Sequence, residues 1–366
     1  MKIAILETGH FQYALTQSAI FSDCEKIFIA PQSVKRDMKA YAPELCVGEF
    51  IEIKSITENE QEIINVLQSS NIDLLLISPV FDSYKSLNNI VKKIKCKKVI
   101  TTHNVNTWFY GRFWSPNSYL DRVNMRSIIK NCDYVAVEDF IYNHLKSTND
   151  KIYQKYNCLY IPFTIFHECK ERKHVKIGNQ LKVVLTGAID GDRRRYEEVL
   201  ELIQFLAHRN SEIIFSFAGR ALGNYGKSIQ KKLEEIRVAY PNLVSYFDDN
   251  STAEMFKQEM ETSDLVLSTS TKTFKGMGTL EYIGKTKPTA AIHDMMSYEL
   301  PGLLPAHLKV PHNLRGSVFN YQTVDDLKKI LVNLLDNPSI LMQWKAKAKE
   351  NSLNFTAKEI RKGLPF

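Results

Sequence analysis

Residues 183–196, Val183-Val-Leu-Thr-Gly-Ala-Ile-Asp-Gly-Asp-Arg-Arg-Arg-Tyr196, decide the fold. A β-branched run stops at Gly187, a loop with a second glycine and three consecutive arginines follows, and a helical pattern starts near Tyr196. Strand, Gly/Arg loop and helix start, in that order, make a seat for phosphate in an α/β protein. The helix N-terminus offers unpaired N–H groups and the positive end of a dipole. Arginine adds a planar, permanent cation that matches phosphate oxygens. The stretch lies midway along 366 residues, where a second domain of ordinary size would begin.

Apolar runs and amphipathic segments alternate on both sides of it. Upstream, strands are expected at Lys2–Leu6, Lys26–Ala30, Phe50–Ile53, Leu74–Ser78, Lys98–Thr102, Tyr134–Glu138 and Leu159–Pro162, with helical patterns between them such as Glu60–Ser69 and Tyr84–Lys95. Downstream, strands are expected at Leu181–Thr186, Ile213–Ala218, Val244–Phe247, Leu265–Thr269, Thr289–Ile292 and Val318–Tyr321. Helices are expected at Tyr196–His208, Gly226–Tyr240, Ala253–Thr262, Leu280–Gly284, Val324–Leu334 and Ser339–Asn351. Continuous apolar strands alternating with helices imply parallel sheets covered on both faces. The fold class read from this is α/β: two doubly wound Rossmann-like domains facing each other across a cleft. The expected plan is a first Rossmann-like domain over 1–170, a linker over 171–180 in the polar stretch after Glu168, a second Rossmann-like domain over 181–345, and a tail over 346–366 returning to the first domain.

Composition narrows the class. The chain is 44% hydrophobic and 24% charged, ordinary for a globular protein, and its net charge of +7 fits an anionic substrate or an acidic membrane surface without implying nucleic acid. Cys24, Cys46, Cys96, Cys132, Cys158 and Cys169 are scattered with no CxxC pair, so neither a zinc site nor a disulfide framework is signalled. A start directly on a strand, and no apolar run near the ~18 residues of a spanning helix, lead to the expectation of a cytosolic protein, at most peripheral on the inner face of the membrane. Lys92, Lys93, Lys95, Lys97 and Lys98 interleave with Ile90, Val91 and Ile94; they read either as a solvated face over a core stripe or as a dock for anionic lipid, with Arg112, Phe113, Trp114 and Arg122 adding to the second reading.

A second informative stretch is Ser268-Thr-Ser-Thr-Lys-Thr-Phe-Lys-Gly-Met-Gly-Thr-Leu-Glu281. Read as strand, loop and helix start near Thr279, it lets Gly276 and Gly278 bring backbone N–H groups to a diphosphate, with Lys275 adding charge and Glu281 accepting from a ribose diol. The plain alternative is a glycine-rich helix entry with Glu281 as a favourable dipole partner. Asp190-Gly-Asp192 has the DxD form of a metal pair, but inside an arginine loop its carboxylates are expected to fix the turn or orient the arginines. Asp248-Asp249 reads as a solvated turn.

On Gly187-Ala-Ile-Asp-Gly-Asp-Arg-Arg-Arg-Tyr-Glu197, Phe274-Lys-Gly-Met-Gly-Thr-Leu-Glu-Tyr282 and Thr101-Thr-His-Asn104, the chain resembles the GT-B-fold glycosyltransferases, closest to the group that includes glycosyltransferase family 4. The resemblance implies transfer of a sugar from a UDP- or GDP-sugar to a glycan or lipid-linked acceptor in cell-surface polysaccharide or glycoconjugate synthesis, with no further cofactor and no metal. It implies a diphosphate clamp among Arg193, Arg194, Arg195, Lys275, Gly276, Gly278 and Thr279, and a nucleotide site at Glu281, Gly187 and Arg220. The family's paired glutamates are half present, since Thr273 stands where the first would be; Ala188 replaces an arginine common after the glycine, and Arg194 matches the second basic position. Retention or inversion of configuration is therefore left open. His103 matches the family's N-domain histidine, with Asn104, Asn106 and Trp108 suited to an acceptor sugar. His10, after the first strand, is the rival base. An epimerase of the same fold, or a non-catalytic sugar-nucleotide-binding paralogue, are the alternatives.

Overall fold

Runs such as Ile3–Leu6 and Leu74–Ile77 are buried along their whole length, which a parallel sheet with helices on both faces requires. The computed structural model describes residues 1–111, 116–165, 180–209, 212–248 and 251–366, without the side chains of residues 116, 117 and 139. The features expected at Arg112, Phe113, Trp114, Cys169, Asp249 and most of the 171–180 linker lie outside the described residues.

The chain divides into two units. The first comprises Met1–Thr164, Lys275–Pro288 and Ala357–Phe366; the second comprises Ile165–Phe274 and Thr289–Thr356. In the first, β1 (Lys2–Leu6), β2 (Glu25–Ala30), β3 (Glu49–Glu52), β4 (Leu74–Ile77), β5 (Lys97–Thr101), β6 (Tyr134–Val137) and β7 (Cys158–Tyr160) form a parallel sheet in the order β3-β2-β1-β4-β5-β6-β7. Its central register sets Ile3 between Lys26 and Leu74. Leu6, Ile29, Leu75, Ile100 and Val137 belong to one core with Leu87, Ile90 and Val91 of the helix Tyr84–Lys93. That helix buries its apolar stripe and leaves Lys92 and Lys93 exposed, as are Lys95 and Lys97 beyond it. Lys98 departs from the expected basic face: it is buried, and its ammonium donates to the carbonyls of Ile94 and Cys96, each at 3.0 Å. Among the described residues no helix is long and apolar enough to cross a membrane.

The remaining strands are β8 (Leu181–Thr186), β9 (Ile213–Ala218), β10 (Val244–Tyr246), β11 (Leu265–Leu267), β12 (Thr273–Gly276), β13 (Thr279–Tyr282), β14 (Gly302–Pro305) and β15 (Val318–Tyr321). The second unit's parallel sheet runs β10-β9-β8-β11-β14-β15, while among the described residues β12 and β13 pair only with each other.

Three expectations change here. The helix expected at Leu280–Gly284 is instead β13, half of a hairpin. Met277 (φ 47°) and Gly278 (φ 68°) both adopt left-handed backbone, the requirement of a two-residue type I′ turn, and exposure alternates along Thr279–Ile283 with the period of a strand. The strand expected at Thr289–Ile292 is the start of the helix Ala290–Ser297, and the true strand at that stage is β14. Residues 275–288, expected in the second domain, belong to the first unit. So does Ala357–Phe366, where Phe366 stacks on Phe21 with ring centres 5.9 Å apart and the Arg361 guanidinium lies 4.5 Å from the Phe21 ring centre.

Candidate active site

Ligands of doubly wound sheets bind beyond the carboxyl ends of the strands, at the point where strand order reverses. That point lies between β1 and β4 in the first unit and between β8 and β11 in the second.

In the first unit the loops after successive strands carry His10 (β1), Phe81 (β4), His103 (β5), Glu138 (β6) and Phe163 (β7). The His10 ring centre is 6.0 Å from those of His103 and Phe163 and 5.4 Å from that of Phe81. His103 Nδ1 stands 3.4 Å from Glu138 Oε1, and the Tyr13 hydroxyl donates to the same oxygen. Both expected histidines are thus in one cluster. Glu138 and Tyr13 were not anticipated; the available signal was a carboxylate at the very end of the apolar run Tyr134–Val137, where a buried charge needs a reason.

Beneath His10, Glu7 Oε1 accepts from the backbone N–H groups of Gly9 and His10, each at 2.7 Å. Burial pushes the Glu7 carboxyl up to about 7, against the pull of those N–H groups. Burial, then the neighbouring His103, lowers His10 to about 4; Lys287 acts in the same direction and Glu138 opposes it. The two shifts have opposite linkage. Between pH 4.5 and about 7 folded Glu7 keeps a proton that the unfolded chain has released, so its contribution to stability falls as pH rises. Between about 4 and 6.5 the unfolded chain binds a proton that folded His10 does not, so that contribution rises with pH. Glu7→Gln is expected to leave stability climbing with pH across the lower window, and His10→Asn to leave it declining across the upper one. Urea midpoints at several pH values check this, and slopes of the same sign in both variants would refute it.

The residues expected to meet sugar have internal partners instead. Asn104 precedes the helix Val105–Tyr110, but its Oδ1 accepts from Lys287 Nζ at 2.7 Å and does not cap the helix. Glu281 does so from a distant part of the chain: its oxygens accept from the backbone N–H groups of Asn106 (3.1 Å) and Thr107 (2.7 Å). Asn106 Nδ2 donates to the Leu280 carbonyl at 2.8 Å. Trp108 is 4% exposed and packs edge-on against Tyr84, which removes it as a sugar platform. Arg122 is also buried, donating to the Met277 carbonyl (3.3 Å) and to Thr279 Oγ1 (3.0 Å). Lys275 is exposed on the hairpin, and Gly276 and Gly278 shape its tip. Glu281, expected to hold a ribose, is 0% exposed and ties the hairpin to the His103 loop. Glu281→Ala would orphan two helix N–H groups, at a cost of about 1–3 kcal/mol for each buried donor left unpaired. A melting temperature equal to wild type would contradict this role.

In the second unit Gly187 has φ 82°, and a Cβ there would stand 2.1 Å from an Arg194 guanidinium nitrogen. Glycine therefore lets Arg194 lie over the end of β8, where its Nη1 donates to the Ala188 carbonyl at 3.0 Å. Arg193 is turned aside: its Nε donates to Asp190 Oδ2 at 2.6 Å, while Asp190 Oδ1 accepts from the N–H groups of Asp192 and Arg193 and fixes the turn. Arg195 is exposed, 3.9 Å from Glu198. Arg220 is exposed at the end of β9. The arginine loop runs antiparallel to the loop after β11, with Arg194 bridged to Ser270, Arg195 N–H on Thr269 O (3.0 Å) and Thr271 N–H on Arg193 O (2.8 Å). A row of buried hydroxyls continues from there, Ser268 to Ser270 at 3.0 Å and Ser270 to Thr289 at 3.2 Å. Thr289 directly precedes the helix Ala290–Ser297 and does not cap it. Inside that helix, burial raises the Asp294 carboxyl to about 6, with Thr186, His293 and Arg194 pulling it back. So within the second unit the start of the 268–281 stretch meets the arginine loop.

A glycosyltransferase from Rickettsia africae matches this chain with a TM-score of 0.65 over 99% of it and 96% of its own length, at 12% identity. Anabaena HepE, solved with UDP and glucose, matches at 0.62 over 99% and 97%, at 14% identity. The fold is GT-B. The same GT-B plan matches a Listeria monocytogenes protein provisionally assigned as a UDP-N-acetylglucosamine 2-epimerase, at 0.57 over 98% and 94%, with 10% identity. No protein-family model and no curated protein matches the chain.

Proposed function

We propose that this GT-B chain is a glycosyltransferase that uses a nucleotide-diphosphate sugar. The observation that carries the reading is the meeting of the arginine loop with Ser268–Thr271 at the strand reversal of the second sheet, ahead of the helix Ala290–Ser297. There the Arg194 fork, the helix N-terminus and the hydroxyls of Ser270 and Thr289 offer donors to a diphosphate. Charge on that leaving group grows as the glycosidic bond breaks, and donors fixed in advance stabilise it at no reorganisation cost. In the first unit His103 supplies the base for an acceptor hydroxyl; His10, held neutral and desolvated, serves as its aromatic neighbour. The scheme calls on no metal. A UDP- or GDP-sugar as donor and a glycan or lipid-linked acceptor complete it, with exposed Lys92, Lys93, Lys95 and Lys97 suited to an anionic lipid surface.

Incubation with a panel of UDP- and GDP-sugars tests the proposal. Slow release of free nucleotide diphosphate is expected even without acceptor. A sugar altered but still attached would mark an epimerase, and failure to bind any member of the panel would overturn the reading.

A further inference from the structure

We propose that Glu138 is a positioning residue for His103, holding Nδ1 of the imidazole as a donor so that Nε2 is left to take a proton. The inference rests on the transfer reading only for its purpose; the pair itself stands on geometry. Glu138 is 1% exposed at the carboxyl end of β6, and a carboxylate so placed needs partners that satisfy it. The Tyr13 hydroxyl, reaching from the helix Phe11–Ile20, donates to Oε1, and His103 Nδ1 lies 3.4 Å from that oxygen. Burial, and then the charge of Glu138 itself, push Tyr13 well above its ordinary range, so it acts only as a fixed donor that keeps the carboxylate from turning away.

The surroundings then assign the proton. His103 is faced by His10 from the loop after β1, by Glu138 and Tyr13, and by Phe81 from the loop after β4; Lys287 is bonded to the next residue, Asn104. Glu7 lies under His10, on that residue's backbone N–H. Two imidazoles 6.0 Å apart resist being charged together. The Nδ1 atoms of both rings are buried and neither makes a hydrogen bond of ideal geometry, but of the two only His103 has a carboxylate within ion-pair reach among the described residues. A contact of 3.4 Å is long for a neutral imidazole; a proton arriving on Nε2 makes it charge-assisted and shortens it. No bond to carbon forms or breaks at Glu138. The hydroxyl proton moves to Nε2, and the carboxylate stabilises the cation that results.

Side-chain 15N NMR of the full chain, with His103 assigned from the spectrum of His103→Gln, tests the pair. In wild type, neutral His103 is expected as the Nδ1–H tautomer, and Glu138→Gln is expected to lower its proton affinity about tenfold, as removal of an adjacent opposite charge does. Tyr13→Phe should lower it by less. A His103 titration unmoved in a folded Glu138→Gln protein overturns the proposal; should that variant fail to fold, the wild-type tautomer still decides, and an Nε2–H tautomer there overturns it. These readouts need no donor sugar. A chain that never turns over a nucleotide sugar would sink the transfer reading and leave the pair intact. If turnover is found, the acid limb of its pH profile should move down with the NMR midpoint in Glu138→Gln.

Discussion

Arg194→Ala is expected to lower turnover of the nucleotide sugar by about 10²–10³-fold, the usual consequence of deleting one fixed donor to a developing anion. The expectation is specific to this arginine. Arg193 is held by Asp190, and Arg195 is exposed with Glu198 as its nearest acid, so the difference is one of position. Arg194 alone of the three lies over Gly187 and beside the Ser270 segment. Arg195→Ala should therefore stay within a few-fold of wild type. Arg194→Lys should recover only part of the loss, because an ammonium cannot grip two oxygens in one plane. Calorimetric titration with UDP and GDP separates binding from chemistry. Nucleotide affinity that is unchanged in Arg194→Ala would remove this residue from the clamp.

His103→Ala is expected to behave differently: transfer falls by about 10²–10⁴-fold, the range for losing a general base, while nucleotide diphosphate binding is preserved. His10→Ala should cost less, since a histidine lowered to about 4 is a poor proton acceptor at neutral pH. Initial rates measured beside UDP affinity read both effects. Full transfer activity in His103→Ala, with a large loss in His10→Ala, would exchange the two roles.

The sheets were legible because strands such as Leu74–Ile77 are short and continuously apolar, and because segments such as Tyr84–Lys93 carry an unambiguous helical stripe. The arginine loop was legible for its composition, although which arginine remains available depends on Asp190, a choice made by three-dimensional pairing. The glycine pair reads as the entry to a helix and turns out to shape a hairpin. Glycine serves a phosphate cradle and a type I′ turn through the same freedom at positive φ, and only the alternation of Thr279, Glu281 and Ile283 distinguished a strand. The helix Ala290–Ser297 looked like a strand because nearly every residue in it is buried, which erases the amphipathic period. Glu281 carried no local sign of its role, since the N–H groups it caps lie some 175 positions away.

The polypeptide passes between its units at 164/165, 274/275, 288/289 and 356/357. Trading front halves with a related protein at mid-sequence would part Glu281 from the amides it caps, and Lys287 from the loop bearing His103. A fragment ending at Thr164 would lack both, along with the Phe366 ring that stacks on Phe21. An exchange that keeps these contacts would have to carry the three pieces of the first unit together.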